Sequence, residues 1–169
     1  WGNAGGQTTP YLKANASFDT VSGSVILGST NVGAANTNAT PTPYNVILNV
    51  TQLQHINCTG LGLNYVLGST IDASATSGWN STHGFAPIGS SSAHFTGTFD
   101  GLGHTVSGLT IDLPKTGNVG LFGYTSGSTI RKVRLVGESV TGQDDVGGLV
   151  GYNDGDISIA YATGAVHGR

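Results

Sequence analysis

Two near-copies of one phrase constrain this chain more than any other feature. Gly120-Leu121-Phe122-Gly123-Tyr124 returns as Gly148-Leu149-Val150-Gly151-Tyr152. The match runs on. Ser126-Gly127-Ser128 is answered by Asp154-Gly155-Asp156, Ile130 by Ile157, Gly137 by Gly164, and Ser139-Val140-Thr141-Gly142 by Ala165-Val166-His167-Gly168. A period between about 20 and 50 residues is the signature of a solenoid or a propeller. Propeller blades usually need about 40 residues or more, so a coil of stacked short strands is preferred. Such a repeat points away from enzymes built around one central pocket.

In a strand every second side chain turns inward. In a coil the inward positions of successive turns lie above one another, which predicts Leu121 on Leu149, Tyr124 on Tyr152 and Ile130 on Ile157. Neighbouring turns then pair through their backbones about 4.8 Å apart. Glycine is expected at the bends, where positive φ and close approach exclude a Cβ.

Composition agrees with this frame. Among 169 residues there are 28 glycines, no methionine and only 9% charged residues, so amphipathic surface helices have little to be built from. Val, Ile and Leu recur at regular intervals, unlike a disordered chain. The whole of 1–169 reads as one β-solenoid segment, less regular over 1–63 and regular over 64–169, with the repeats at 118–142 and 145–168. A net charge of −3 argues against a nucleic-acid partner. Arg131, Lys132 and Arg134 read as one solvated strand face. Cys58 is the only cysteine, so no internal disulfide framework exists and a buried or inert thiol is expected. No apolar run approaches the roughly 20 residues that span a bilayer, so no membrane span is predicted. The chain starts at Trp1 with no visible signal peptide and reads as a piece of something longer.

Along the chain, strands are expected around Ala16–Val21, Ser24–Leu27 and Tyr44–Val50, with a loop at Asn31–Pro43. Thr51–Ile56 fits either a turn of helix or a strand. Asn64–Ile71 is expected as one strand, its side chains alternating. Gly78–Ser92 reads as a long irregular excursion. Short strands then follow at Phe95–Phe99, His104–Val106, Leu109–Ile111, Val119–Tyr124, Ile130–Leu135, Val140, Leu149–Tyr152, Ile157–Tyr161 and Ala165–Val166, with a turn at Asp100–Gly103.

The run Phe95-Thr96-Gly97-Thr98-Phe99-Asp100-Gly101-Leu102-Gly103-His104-Thr105-Val106-Ser107-Gly108-Leu109-Thr110-Ile111 is followed by Gly120-Leu121-Phe122-Gly123 and Gly147-Gly148-Leu149-Val150-Gly151. Together they resemble the GLUG-repeat regions of very large bacterial exoproteins. These are the filamentous-haemagglutinin-like and high-molecular-weight adhesins, many of them exported by two-partner secretion. Asn64–Asp72 resembles the lead-in such regions often carry. The resemblance covers 64–168 closely and 1–63 loosely. It implies an all-β fold, a right-handed parallel β-helix with irregular loop excursions. It also implies a secreted or bacterial cell-surface location and a stalk or adhesive role. No catalytic residue is carried over from it.

Candidate chemistry is sparse. Asp154 and Asp156, with Asp144 and Asp145 nearby in sequence, suggest a fragment of a calcium loop, but two carboxylates fall short of the six or more oxygens calcium prefers. Ordinary turn residues are the preferred reading, and no metal or cofactor is expected. Parallel β-helices also house polysaccharide-degrading enzymes. Glycosidic hydrolysis needs two carboxylates about 5–10 Å apart, and Asp100, Asp112, Glu138, Asp144 and Asp145 are available, with Arg131, Lys132 and Arg134 as candidate bases for a lyase. No aromatic-lined cleft accompanies them, so a non-enzyme is preferred. The five histidines, His55, His83, His94, His104 and His167, show no metal-ligand spacing.

Five asparagines, Asn15, Asn38, Asn49, Asn57 and Asn80, sit in Asn-x-Ser/Thr sequons, all in the first half. They are candidate glycosylation sites, although Asn and Thr also serve turns and stacked ladders. The aromatic loop holding Trp79, His83 and Phe85 is the candidate contact with a ligand or partner; covering one edge of the coil is the competing reading. The expected partner is a glycan or protein on a host or neighbouring cell. Self-association through coil ends, giving a structural filament, is a third class of function.

Overall fold

In the computed structural model the described residues are 24–27 and 42–169, without the side chains of 24–27 and Thr42. The expected strand at Ala16–Val21 and most of the expected loop at Asn31–Pro43 lie outside them.

The described chain is all-β apart from a few helical turns, and its strands pair mostly in parallel. A first sheet starts with β1 (Ser24–Leu27), antiparallel to β2 (Thr42–Ile47). It continues in parallel through β3 (Tyr65–Leu67), β5 (Thr98–Asp100), β8 (Phe122–Arg131) and β11 (Val150–Ser158). A second holds β4 (Ile71–Asp72), β6 (Thr105–Ser107), β9 (Arg134–Val136) and β12 (Tyr161–Ala162). A third holds β7 (Thr110–Asp112), β10 (Ser139–Thr141) and β13 (Ala165–His167). From β5 onward the chain therefore visits first, second and third sheet in that order three times. The last two of these circuits fall within the two repeats.

Register makes columns of like side chains. Tyr65, Phe99, Ile130 and Ile157 form one, Ile71, Val106, Leu135 and Ala162 a second, and Ile111, Val140 and Val166 a third. The earlier members are nearly wholly buried, and Phe95, Phe99 and Phe122 pack with ring centroids 5.0 and 5.2 Å apart. Burying such rings and branched chains is the main favourable term here.

Several expectations need correcting. Asn64–Ile71 is two strands, β3 and β4, because the chain turns at Gly68, which lies against Val46 and Leu48. Tyr65, Val66 and Leu67 are all buried, so the expected alternation is absent. Thr42 and Pro43 belong to β2, and Val50 opens a helix. The segment Gly78–Ser92 is irregular, as expected, but it packs onto the sheets. Its backbone meets the core strands: Phe85 N–H donates to Thr110 O, Asp112 N–H to His83 O, and Ile88 N–H to Leu121 O, at 2.8 to 2.9 Å. It occupies the place of a turn, and its backbone polar groups are satisfied accordingly.

The bends were expected to rely on glycine. Between second and third sheet they do, at Gly108 and Gly137, both with positive φ; at the other bends non-glycine residues hold the left-handed conformation: Leu102, Lys132 and Ile159 between first and second sheet, Asn118 and Asp145 between third and first. Asn and Asp tolerate it through local hydrogen bonds, whereas the other three carry about 1–2 kcal/mol of strain each. Glycine is needed beside the bend: a Cβ on Gly101 would run into the Lys132 carbonyl of the next circuit.

Candidate functional site

At the β2 end the stack is closed by α1 (Val50–Gln54) and α2 (Ile56–Thr59). Asn49 caps the first of these, its Oδ1 accepting the Gln52 N–H at 2.9 Å, while Gln52 Oε1 accepts Leu48 N–H at 2.7 Å. This is close to a capping box. The helices then bury Leu53 and Ile56 completely over the core.

On their outer side they reach segment 86–89 through two side-chain amides. Gln54 donates to Ala86 O at 2.9 Å and accepts Ala86 N–H at 2.8 Å. Asn57 donates to Pro87 O and accepts Gly89 N–H, both at 3.0 Å. The two amides do the pairing that a strand backbone would otherwise do. Between helices and segment lies an open cleft of about 390 Å³, bordered by Thr51, His55, Cys58, half-buried Trp79 and the two clamps. Its surface is mostly apolar carbon, with a hydroxyl, an imidazole and a thiol at the rim. That lining suits contact with a partly apolar group, and no carboxylate borders it.

The structure separates the three residues expected to act together. Trp79 borders the cleft and also leans on the core. His83 is exposed at the end of a 3₁₀ turn. Phe85 is 1% exposed and part of the core, so it is not available as a contact. An aromatic among turn formers looked exposed because nothing local signals that its segment packs as a turn. Cys58, expected buried or inert, is exposed.

Asp154 and Asp156 lie in strand β11, at a bulge, and not on a loop. Asp154 accepts from Ser126 Oγ at 3.2 Å, and its neighbour Asn153 accepts from Thr125 Oγ1 at 2.7 Å. Among the described residues no group of three or more His, Cys, Asp or Glu gathers to hold a metal. Of the enzyme candidates, Asp100 is buried in a pair with Arg131 Nε at 2.8 Å and also accepts Leu102 N–H. Glu138 is 2% exposed, with neither carboxylate oxygen hydrogen-bonded. Asp112, Asp144 and Asp145 are exposed. Lys132 and Arg134 are exposed beside a shallow hollow with Leu102 and Ile159.

Tyr124 does stack on Tyr152, at 4.4 Å, but not in the core. Tyr152 is 42% exposed, Tyr124 half-buried, and His94 stacks on the far face of Tyr124 at 4.2 Å. Partial burial, then Tyr152 and Asp154, push the Tyr124 hydroxyl above its ordinary value. The sequence signalled the tyrosine pair through the repeat; His94, outside the repeat, gave no signal.

Of the sequons, Asn15 and Asn38 lie outside the described residues. Asn49 is the helix cap, Asn57 a clamp, and Asn80 Nδ2 donates to Gly84 O at 2.8 Å. No helix among the described residues is long and apolar enough to cross a membrane.

No protein-family model matches the chain, and no solved structure matches it. It is 35% identical over 176 residues to halomucin from Haloquadratum walsbyi. That alignment covers 95% of this chain and 2% of halomucin, so the chain spans a small part of a relative several thousand residues long.

Proposed function

We propose that the chain is a stretch of right-handed parallel β-helix of the GLUG-repeat type. Its parent would be a large secreted or surface-exposed protein resembling the filamentous-haemagglutinin-like and high-molecular-weight adhesins, and it would act in attachment without catalysis. One observation carries the reading: the chain visits three parallel sheets in one order three times, with side-chain columns in register. Stacked circuits of that kind make a stiff, extendable support, which suits a stalk better than a pocket enzyme. Similarity to part of a very long protein, named as a mucin, adds support for a surface setting.

In this reading the circuits supply reach, and the Trp79 cleft supplies contact with a glycan or protein of a neighbouring cell. The test is binding of the purified chain to a glycan array and to intact cells. Binding that Trp79→Ala abolishes, with the circular dichroism spectrum unchanged, is the expected result. A folded chain that binds no glycan and no cell, or one that degrades a polysaccharide, would sink it.

A self-assembling filament is the second reading, favoured by the parallel in-register stacking of successive circuits, which another copy could continue. Sedimentation at high concentration decides it, since a strictly monomeric mass excludes assembly.

A further inference from the structure

The three described sequons differ in what their side-chain nitrogens are doing. Attachment of a glycan replaces one hydrogen on Nδ2 and leaves the amide with an oxygen and one N–H. A secondary amide is trans, so the new carbon lies on the same side as the amide oxygen.

At Asn57 that position is taken. Its Oδ1 accepts from Gly89 while its Nδ2 donates to Pro87 O, two residues back along the same segment, each at 3.0 Å. A two-point contact with one stretch of backbone uses the Nδ2 hydrogen beside Oδ1. A sugar carbon there would stand where the Pro87 carbonyl now is. Asn80 also commits an Nδ2 hydrogen, to Gly84 O at 2.8 Å, and its backbone is left-handed, with φ of 50°.

Asn49 is different. It is exposed, and its structural work is done entirely by Oδ1, which caps α1 through Gln52 N–H. Its Nδ2 donates to nothing among the described residues. A glycosylated Asn49 keeps its oxygen, so the cap survives modification. Thr51, which completes the sequon, is exposed as well.

We infer that Asn49 is a glycan attachment site of the folded chain, and that the Asn57 sequon is closed to modification by its clamp on Pro87 and Gly89. A glycan on Asn49 would stand one helical turn from the Trp79 cleft, flanking the contact surface.

The biological setting rests on the exported reading above, but the test does not. The chain is secreted from a host that glycosylates asparagine, with an unstructured control sequon fused at its end. Folded monomer is isolated and each site's occupancy is read by mass spectrometry. Asn49 should carry glycan at least about tenfold more often than Asn57. Thr51→Ala, which leaves the Asn49 cap in place, should remove that mass without changing the melting temperature. Comparable occupancy of Asn57 in folded monomer overturns the assignment. So does an unmodified Asn49 beside a modified control. Either failure leaves the attachment function untouched, because the host supplies the export.

Discussion

The two ends of the stack use the same columns and differ in what lies beyond them. At the β2 end, α1 and α2 bury Leu53 and Ile56 completely, and the column members Tyr65, Ile71 and Phe99 are at most 2% exposed. In the last circuit, Ile157 is 41% and Val166 42% exposed, although each stands in register above a fully buried Ile130 or Val140. Residue type is almost unchanged between those circuits. Burial in this fold is thus conferred by the neighbouring layer, and a short helical cap can replace a layer of strands.

The largest test of that contrast pairs two truncations. Leu53→Ala should cost about 2–5 kcal/mol, as a filled core site does. Val166→Ala should cost about 1 kcal/mol or less, since much of its side chain is already in water. Urea unfolding curves measure both, and equal losses would erase the distinction between the ends.

The next effect lies at the junction of the first two circuits. Asp100 is buried and faces Arg131 across the register, and Arg131 is itself 40% exposed. Arg131→Met should cost about 2 kcal/mol, less than a fully buried pair, because water reaches the cation and Leu102 N–H still serves the carboxylate. A neutral result would mean solvent already satisfies Asp100.

Closer to the open end the sign reverses. Glu138 is buried against the last circuit, and a Cβ on Gly148 would stand 2.8 Å from its Oε1. With no hydrogen bond to either oxygen, it costs stability, so Glu138→Met should raise it by about 1 kcal/mol. A loss instead would show that the carboxylate has a partner in solution.

The smallest effect concerns acid. The Asp72 carboxylate accepts from Ser74 N–H at 2.9 Å, and that backbone bond, with the Ser74 hydroxyl second, holds it below its ordinary value of 3.8. A depressed carboxylate stabilises above its unfolded value, and the contribution disappears as pH falls through the lower folded value. Asp72→Asn should therefore slightly lower stability above about pH 4 and flatten the acid limb below it, so that the two curves converge as pH falls.

Much of the strand pattern was legible in the chain. The register of Tyr124 on Tyr152 and of Ile130 on Ile157 could be written down from the repeat, and both pairs exist. Ser24–Leu27 and the short strands β6, β7, β10 and β13 were also readable, because β-branched residues and glycine punctuate locally; the breaks expected at Ser126–Ser128 and Asp154–Asp156 are absent, and β8 and β11 run through them as single long strands. The candidate site was legible only at Trp79. Phe85 and Trp79 share one loop-like composition, and nothing in that composition says which ring goes inside. The amides of Gln54 and Asn57 were invisible too. Their partners lie 32 and 30 residues away in sequence, on segments with no matching pattern.

The sequence alone determined the period, the strand-and-turn habit and which side chains recur in columns, since these depend on neighbours along the chain. Tertiary structure decided which rings are buried, which end is capped, and which sequon nitrogens have a partner among the described residues. The physical reason is that alternation and turn chemistry are local, whereas burial and hydrogen-bond satisfaction depend on the layer above and the layer below.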